Sequence, residues 1–220
     1  MTTGVAPTRM SWSADTRTRV LVFAREARAG RVKTRLVPLL GEQGAARLHA
    51  RLVERALGTA RAARLGEVRL VWARRQRGAD LGARMHHALA RALRRAPRAI
   101  LIGADCPVLR ARDLRRAARW LAGGADAVFA PAEDGGYALI GLRRASPRLF
   151  EGVVWGGAQV MAQTRERLAA LGWRWRELPM VWDVDRPEDY RRLQGAGLLH
   201  QRRQPLGDQP VALRVGVDGI

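Results

Sequence analysis

Lysine is almost missing from this 220-residue chain: of its 40 basic residues, every one but Lys33 is an arginine. Cysteine is as scarce, with Cys106 alone, so an internal disulfide is impossible. Although 47% of the residues are apolar, no run approaches the roughly 18 to 20 uncharged apolar residues that a membrane span needs. The opening stretch, MTTGVAPTRMSWSADT, lacks the apolar core of a signal peptide. Aromatic residues make up only 5% of the chain, so the arginines are not interleaved with the stacking platforms that single-stranded nucleic acids use. These absences predict a cytoplasmic protein without a membrane segment or disulfide framework.

What is abundant is positive charge. Forty basic residues against 20 acidic ones give a formal +20, which raises nucleic-acid binding as a reading, since clustered cations neutralise phosphates. The arginines are not clustered, however. They are spread along RLHARLVERALGTARAARL, ALARALRRAPR and RDLRRAARWLAGG, between alanines and leucines, as on solvated helix faces whose long stems cover apolar surface. A non-catalytic nucleic-acid-binding protein therefore stands only as the alternative from another class.

Five short apolar, β-rich runs read as strands: 19–24, 68–73, 98–104, 126–131 and 137–142. Helical periodicity fills 41–63, 80–95 and 111–122, between the first four. That alternation predicts an α/β fold, a three-layer α/β/α sandwich, with parallel pairing. The fifth run follows the fourth across Gly135-Gly136 with no helix between, which predicts a mixed, mainly parallel sheet. A helix at 157–171, a strand at 173–178 and a helix at 187–193 with Asp185 as its nearby cap complete one domain, 18–195. Residues 1–17 and 196–220 read as extensions, although VALRVGV could form an edge strand.

In an open α/β sheet, ligands bind beyond the carboxyl ends of the strands. After the first strand, REARAGRVKTRLVP offers Gly30 for close backbone approach, with Arg25, Arg28, Arg31, Lys33 and Arg35 around it; such a loop suits a phosphate or diphosphate. It is not a Walker A loop, because Val32 stands where that motif needs glycine. After the second strand, Gln76 and Gly78 could touch a ligand, and Asp80 caps the following helix. Beyond the third, Asp105 of GADCP is either a turn residue or a carboxylate for Mg²⁺ or Mn²⁺. Cys106 reads as a small buried side chain, and His86 and His87 as structural. After the fourth strand, Glu133 and Asp134 before Gly135-Gly136 form a hairpin turn, or bind a sugar hydroxyl or serve as a base towards an acceptor. WDVDRPEDY places Asp183 and Asp185 two residues apart, as capping groups or a second metal contact.

Taken in order, GRVKTRL, QRGADLGARM, GADCP, PAEDGGYALIGL, LFEGVVW and DVDRPEDY resemble the nucleotide-diphospho-sugar transferase superfamily, with its GT-A fold. The likeness covers about residues 19 to 193 and is strongest to a branch of small bacterial glycosyltransferases found in radical-SAM or selenium-related gene contexts. Phospholactate and molybdenum-cofactor guanylyltransferases are more distant kin. The resemblance implies nucleotide contacts at Ala24, Gly30, Arg31, Lys33, Gln76, Gly78 and Asp80. It implies a metal, Mg²⁺ or Mn²⁺, on Asp105, Asp183 and Asp185, and acceptor or sugar contacts at Glu133, Asp134, Gly135, Gly136 and Trp155. Lys33, Arg35 and Asp134 become the catalytic candidates. The partners so implied are a nucleoside-diphosphate sugar and a small-molecule acceptor; a nucleoside triphosphate, in nucleotidyl transfer, is the alternative donor. Two positions depart from the branch: Arg25-Glu26-Ala27 replaces Lys-Ala-Pro, and Gly156-Gly157 replaces a Ser-Thr pair after Trp155.

Overall fold

A computed structural model describes residues 17–198. The first-strand run forms β1 (Thr18–Ala24), with Val20, Leu21, Val22 and Phe23 all buried. It pairs in parallel with β2 (Val68–Trp72) on one side and β3 (Arg98–Gly103) on the other. The fourth and fifth runs form β4 (Ala127–Pro131) and β5 (Tyr137–Leu142), an antiparallel hairpin whose β5 inserts beside β3. A short β6 (Trp175–Glu177) lies parallel to β4. The order is β2-β1-β3-β5-β4-β6. Only β5 runs against the others, as the Gly-Gly turn requires, so the sheet is mixed and mainly parallel.

Side chains alternate across β1 as strand geometry demands. Val20 and Val22 face α1 (Val37–Ala63) and α3 (Ala111–Ala122), while Leu21 and Phe23 face α2 (Leu81–Leu93) and α4 (Val160–Ala170). The result is the expected three-layer sandwich. α1 starts four residues before the expected 41, at Val37 with Pro38 in its first turn, and Gly41 breaks it with φ 69°. β6 is shorter than 173–178 and α4 shorter than 157–171; the flanking residues turn to close on their neighbours. The extensions at 1–17 and 196–220, including the VALRVGV strand, lie almost wholly outside the described residues. Among the described residues no helix is long and apolar enough to cross a membrane.

A third apolar cluster joins the loop after β1 to the segment that follows β6. Leu36, from the 3-10 turn after β1, packs with Leu48 and Leu52 of α1 and with Trp182, Val184 and Leu193 near the carboxyl end. Backbone bonds stitch the same late segment down: Val181 N–H donates to Pro131 O (2.9 Å), Glu133 N–H to Val181 O (3.0 Å) and Val184 N–H to Asp105 O (3.0 Å). The expected cap of α5 (Pro187–Gly195) is corrected here. The Asp189 carboxylate, not Asp185, accepts the Arg186 N–H (2.7 Å), and it also accepts that of Asp185 (3.0 Å).

Leu36 is fully buried in this cluster. Leu36→Ala is expected to cost about 2–5 kcal/mol by cavity formation, measured by urea unfolding.

Candidate functional site

Five strands end, and β5 begins, at one edge of the sheet, and the acidic and cationic candidates collect there. Lys33 sits in the loop after β1 with its backbone left-handed (φ 49°, ψ 41°). Outside glycine, only Lys33 and Arg64 have positive φ among the described residues. Arg64 caps α1, an ordinary place for it; Lys33 caps only a single 3-10 turn and spends conformational energy to point its side chain inward. Its ammonium, on a side chain only 5% exposed, lies 2.7 Å from Asp105 Oδ1 and donates to Val184 O at 2.6 Å. The cationic loop and the carboxylate of the Cys-Pro segment therefore converge.

Asp105 Oδ1 is buried, yet the side chain as a whole is 45% exposed. One oxygen is held inward and the rest of the carboxyl remains open. Burial by itself would raise the Asp105 pKa. The Lys33 ammonium, helped by His49, outweighs that effect and holds the carboxyl well below the usual carboxylate range.

Asp183 shows the reverse. Burial, followed by the charges of Asp105 and Asp134, pushes its carboxyl up to about 7, with Lys33 opposing and Asp185 adding to the rise. Its Oδ1 is buried with no hydrogen-bond partner among the described residues. Asp105, Asp134, Asp183, Asp185 and Lys33 are thus near enough to act on one another, from four separate parts of the chain. Asp185 also pairs with Arg35.

A hard divalent cation takes oxygen ligands, and an orphaned buried carboxylate oxygen facing other carboxylates fits one. No group of three or more metal-ligating side chains gathers at a single point among the described residues. The fit is therefore to an ion held by one or two carboxylates and completed by ligand oxygens and water.

The other candidates are placed as follows. Ala24 is buried at the end of β1, Gly30 takes φ 69°, and Arg31 is exposed. Gln76 donates to Val71 O (3.2 Å) and Asp80 caps α2 by accepting from Ala83 N–H (2.7 Å). Gly78 lies so close to Ala83 and Arg84 that a Cβ there would sit 2.6 Å from the Arg84 nitrogen. These three build the α2 entrance. Trp155 packs so closely on Gly82 that a Cβ there would sit 2.4 Å from its ring, and it meets the Tyr137 ring edge-on at 6.5 Å. Glu133 is engaged by Arg192 through two bonds of 2.7 and 3.0 Å, and Arg192 itself stacks on Trp182. Asp134 Oδ1 accepts Gly136 N–H (2.9 Å). Gly135, with φ 88°, leaves no room for a Cβ against Ala158 O, so the Gly-Gly pair is first of all a packed turn. Burial, with neighbouring Asp183, pushes the Cys106 thiol up to about 12, which leaves it unreactive at neutral pH.

His49 was not visible as a site residue. It is 3% exposed in α1, its Nε2 lies 2.9 Å from Arg25 O and its Nδ1 3.6 Å from Asp105 Oδ1. A lone polar residue on the apolar face of RLHARLVER was the only signal available.

The family model described as "Uncharacterized protein conserved in bacteria (DUF2064)" matches residues 39–157. A solved structure from Desulfovibrio desulfuricans G20, provisionally named a nucleotide-diphospho-sugar transferase, is 30% identical, with a TM-score of 0.68 over 78% of this chain and 83% of that one. A cytidylyltransferase from Leptospira borgpetersenii serovar Hardjo-bovis is 12% identical, with a TM-score of 0.52 over 83% of this chain and 87% of that one, a likeness of fold alone. Rv0371c of Mycobacterium tuberculosis H37Rv, in complex with manganese, is 22% identical with a TM-score of 0.43 over 82% of this chain and 100% of that one, too remote to bear on this site. No curated protein matches the chain.

The raised Asp183 pKa carries a stability consequence. The folded protein holds this proton more tightly than the unfolded chain, so the contribution is full below the unfolded value of 3.8 and is lost as pH rises through about 7. In chelated buffer, Asp183→Asn is expected to stabilise the protein by about 1–2 kcal/mol at pH 8 and by little at pH 4, measured by denaturant unfolding at both values.

Proposed function

We propose a function on one premise: the chain belongs to the DUF2064 family of bacterial proteins and to the nucleotide-diphospho-sugar transferase superfamily. The protein is a transferase acting on a nucleotide-activated donor, and its reaction is glycosyl transfer from a nucleoside-diphosphate sugar to a small acceptor. The observation that carries this reading is the buried Lys33–Asp105 pair, 2.7 Å apart at the carboxyl ends of β1 and β3, with the uncompensated Asp183 beside it. An ammonium and carboxylates side by side at that edge suit a diphosphate together with its counter-ion. The name of the 30% identical relative supports a sugar as the transferred group.

Asp105 and Asp183 would hold Mg²⁺ or Mn²⁺, which when bound would supply charge neutralisation at the leaving diphosphate; Asp185, expected as a third ligand, is paired with Arg35 instead. The chain's own residues do the rest. Of the three donors on the Lys33 ammonium, Val184 O takes one, and Asp105 Oδ1 lies 2.7 Å away as an ion pair, so at least one remains for a phosphate oxygen. Arg31 and Arg35, both exposed, add positive charge at the mouth of the loop. As the bond between the sugar and the diphosphate breaks, its electron pair goes to the phosphate oxygen, where these cations stabilise it. Asp134 keeps one oxygen beyond its bond to Gly136 and takes the proton of the acceptor hydroxyl as that oxygen bonds to the sugar.

The test is incubation with UDP-, GDP- and CDP-sugars, and separately with labelled triphosphates, in Mn²⁺. Release of nucleoside diphosphate is the expected result; acceptor-dependent pyrophosphate release would assign nucleotidyl transfer instead. Asp105→Asn is expected to lower turnover by about 10²-fold or more. Lys33→Arg keeps the charge but replaces a compact ammonium by a planar fork. Unchanged turnover and donor affinity in that variant would remove any special role for the lysine.

A further inference from the structure

We propose that the acceptor is an alcohol or phenol with an apolar body, and that Leu81, Val154 and Met180 select it. The proposal rests on the sugar-transfer reading above and adds to it the chemical class of the second substrate.

Among the described residues, the large apolar side chains left exposed are Leu39, Leu81, Val154 and Met180. Scattered singly, such side chains need no explanation. Three of these four, however, belong to segments tied to a single turn, the one that carries Asp134. Gly135 packs so tightly on Ala158 that a Cβ there would fall 1.9 Å from Ala158 O, and Gly135 O accepts the Met161 N–H at 2.8 Å. That holds the loop 153–158 beside the turn, with Val154 66% exposed. The same loop presses Trp155 against Gly82, the residue after the exposed Leu81. Met180, 65% exposed, comes to the turn from β6: the next residue, Val181, bridges to Ala132, and its carbonyl accepts the Glu133 N–H.

The loop reads VVWGGA, which contains no hydroxyl, amide or charge. Its one polar side-chain atom, Trp155 Nε1, is buried, and so is the Tyr137 hydroxyl beside it. The side-chain surface that these two rings can present is therefore carbon. A Cβ on Gly156 would meet nothing within 4 Å, so the wall is open there as well as apolar. Nearby polar groups are already engaged: Gln163 Oε1 accepts the Val154 N–H at 2.8 Å, and Arg192 holds the Glu133 carboxylate. An exposed apolar surface beside a few polar groups is the usual make-up of a ligand groove.

This surface discriminates by what it cannot give. A polyol laid against it loses water from each hydroxyl without recovering a hydrogen bond, whereas an apolar body gains by covering Leu81, Val154 and Met180. One hydroxyl has a place. Its oxygen bonds to the sugar carbon and its proton passes to Asp134, while the bond from that carbon to the diphosphate breaks with its electron pair on the diphosphate.

The experiment titrates the full chain, in Mn²⁺, with para-cresol, hexanol, glycerol and glucose by saturation-transfer NMR. Each is then supplied as acceptor with the sugar donor that releases nucleoside diphosphate. The two apolar compounds are expected to bind, and to be turned over in kcat/KM, about tenfold or more better than the two polyols. Leu81→Asn and Val154→Asn combined in one chain are expected to weaken para-cresol binding and raise its KM by about tenfold or more. Met180→Gln should act in the same direction, and Val154→Ile, which keeps an apolar surface, should stay close to the unaltered chain. All three side chains are exposed, so these changes disturb folding little.

Preference for glycerol or glucose overturns the proposal, as does unmoved para-cresol binding in the combined variant. Nucleoside diphosphate release that neither apolar acceptor accelerates overturns it too. The underlying reading fails differently. If no sugar donor is cleaved while para-cresol still binds and the combined variant still weakens it, sugar transfer falls and the apolar subsite stands.

Discussion

Between the ends of two neighbouring parallel strands a single ammonium meets a single carboxylate, Lys33 on Asp105 Oδ1 at 2.7 Å, inside a side-chain shell that leaves the lysine 5% exposed. Much of the molecule is arranged around that contact. The lysine backbone adopts a left-handed conformation to make it. The late segment 181–185 is drawn in by it, because the same ammonium donates to Val184 O, and a third apolar cluster closes behind it. A buried charge stripped of its partner is far more costly than an exposed one, so neither member can be removed without disturbing loop, strand end and late segment together.

The pair also explains why two nearby aspartates behave in opposite ways. Asp105 has the ammonium and is held ionised despite burial. Asp183, whose Oδ1 is likewise buried, receives the field of Asp105 and Asp134 as well, and its carboxyl is raised to about 7. Environment, not residue type, separates them. Carboxylates and cations are gathered together at this edge of a chain whose formal charge is +20. Elsewhere the arginines serve as ordinary forks and stems: Arg165 grips Glu177 through two bonds, Arg192 does the same for Glu133, and Arg144 lies over Trp173. A guanidinium is broad and planar, and the compact ammonium is the cation that can satisfy a carboxylate and a carbonyl in a closed corner.

Legibility in the sequence followed the range of the interactions. Strands, helices and the hairpin reversal at Gly135-Gly136 could be read because hydrophobic period and turn chemistry are local. Asp80 as the cap of α2 was readable for the same reason. The cap of α5 was misplaced by four residues, since Asp185 and Asp189 both stand near Pro187 and only backbone direction chooses Asp189. Glycines 78 and 135 looked like ligand-approach positions; close packing against Arg84 and Ala158 already demands them. His49 was hidden because its two partners lie 24 and 56 residues away in sequence, and nothing in the spacing RLHARLV indicates a strand end.

By itself the sequence determined the α/β architecture, the acidic and cationic segments that follow the strands, and the family they resemble, because each is encoded in residues close together along the chain. Only the tertiary structure decided which charges meet: that Lys33 is committed to Asp105 and Val184, that Asp183 Oδ1 is left without a hydrogen-bond partner among the described residues, and that Arg35 goes to Asp185 and Arg192 to Glu133. Electrostatic partnership depends on distance and burial in three dimensions, and those are properties of the packed molecule that no spacing along a chain contains.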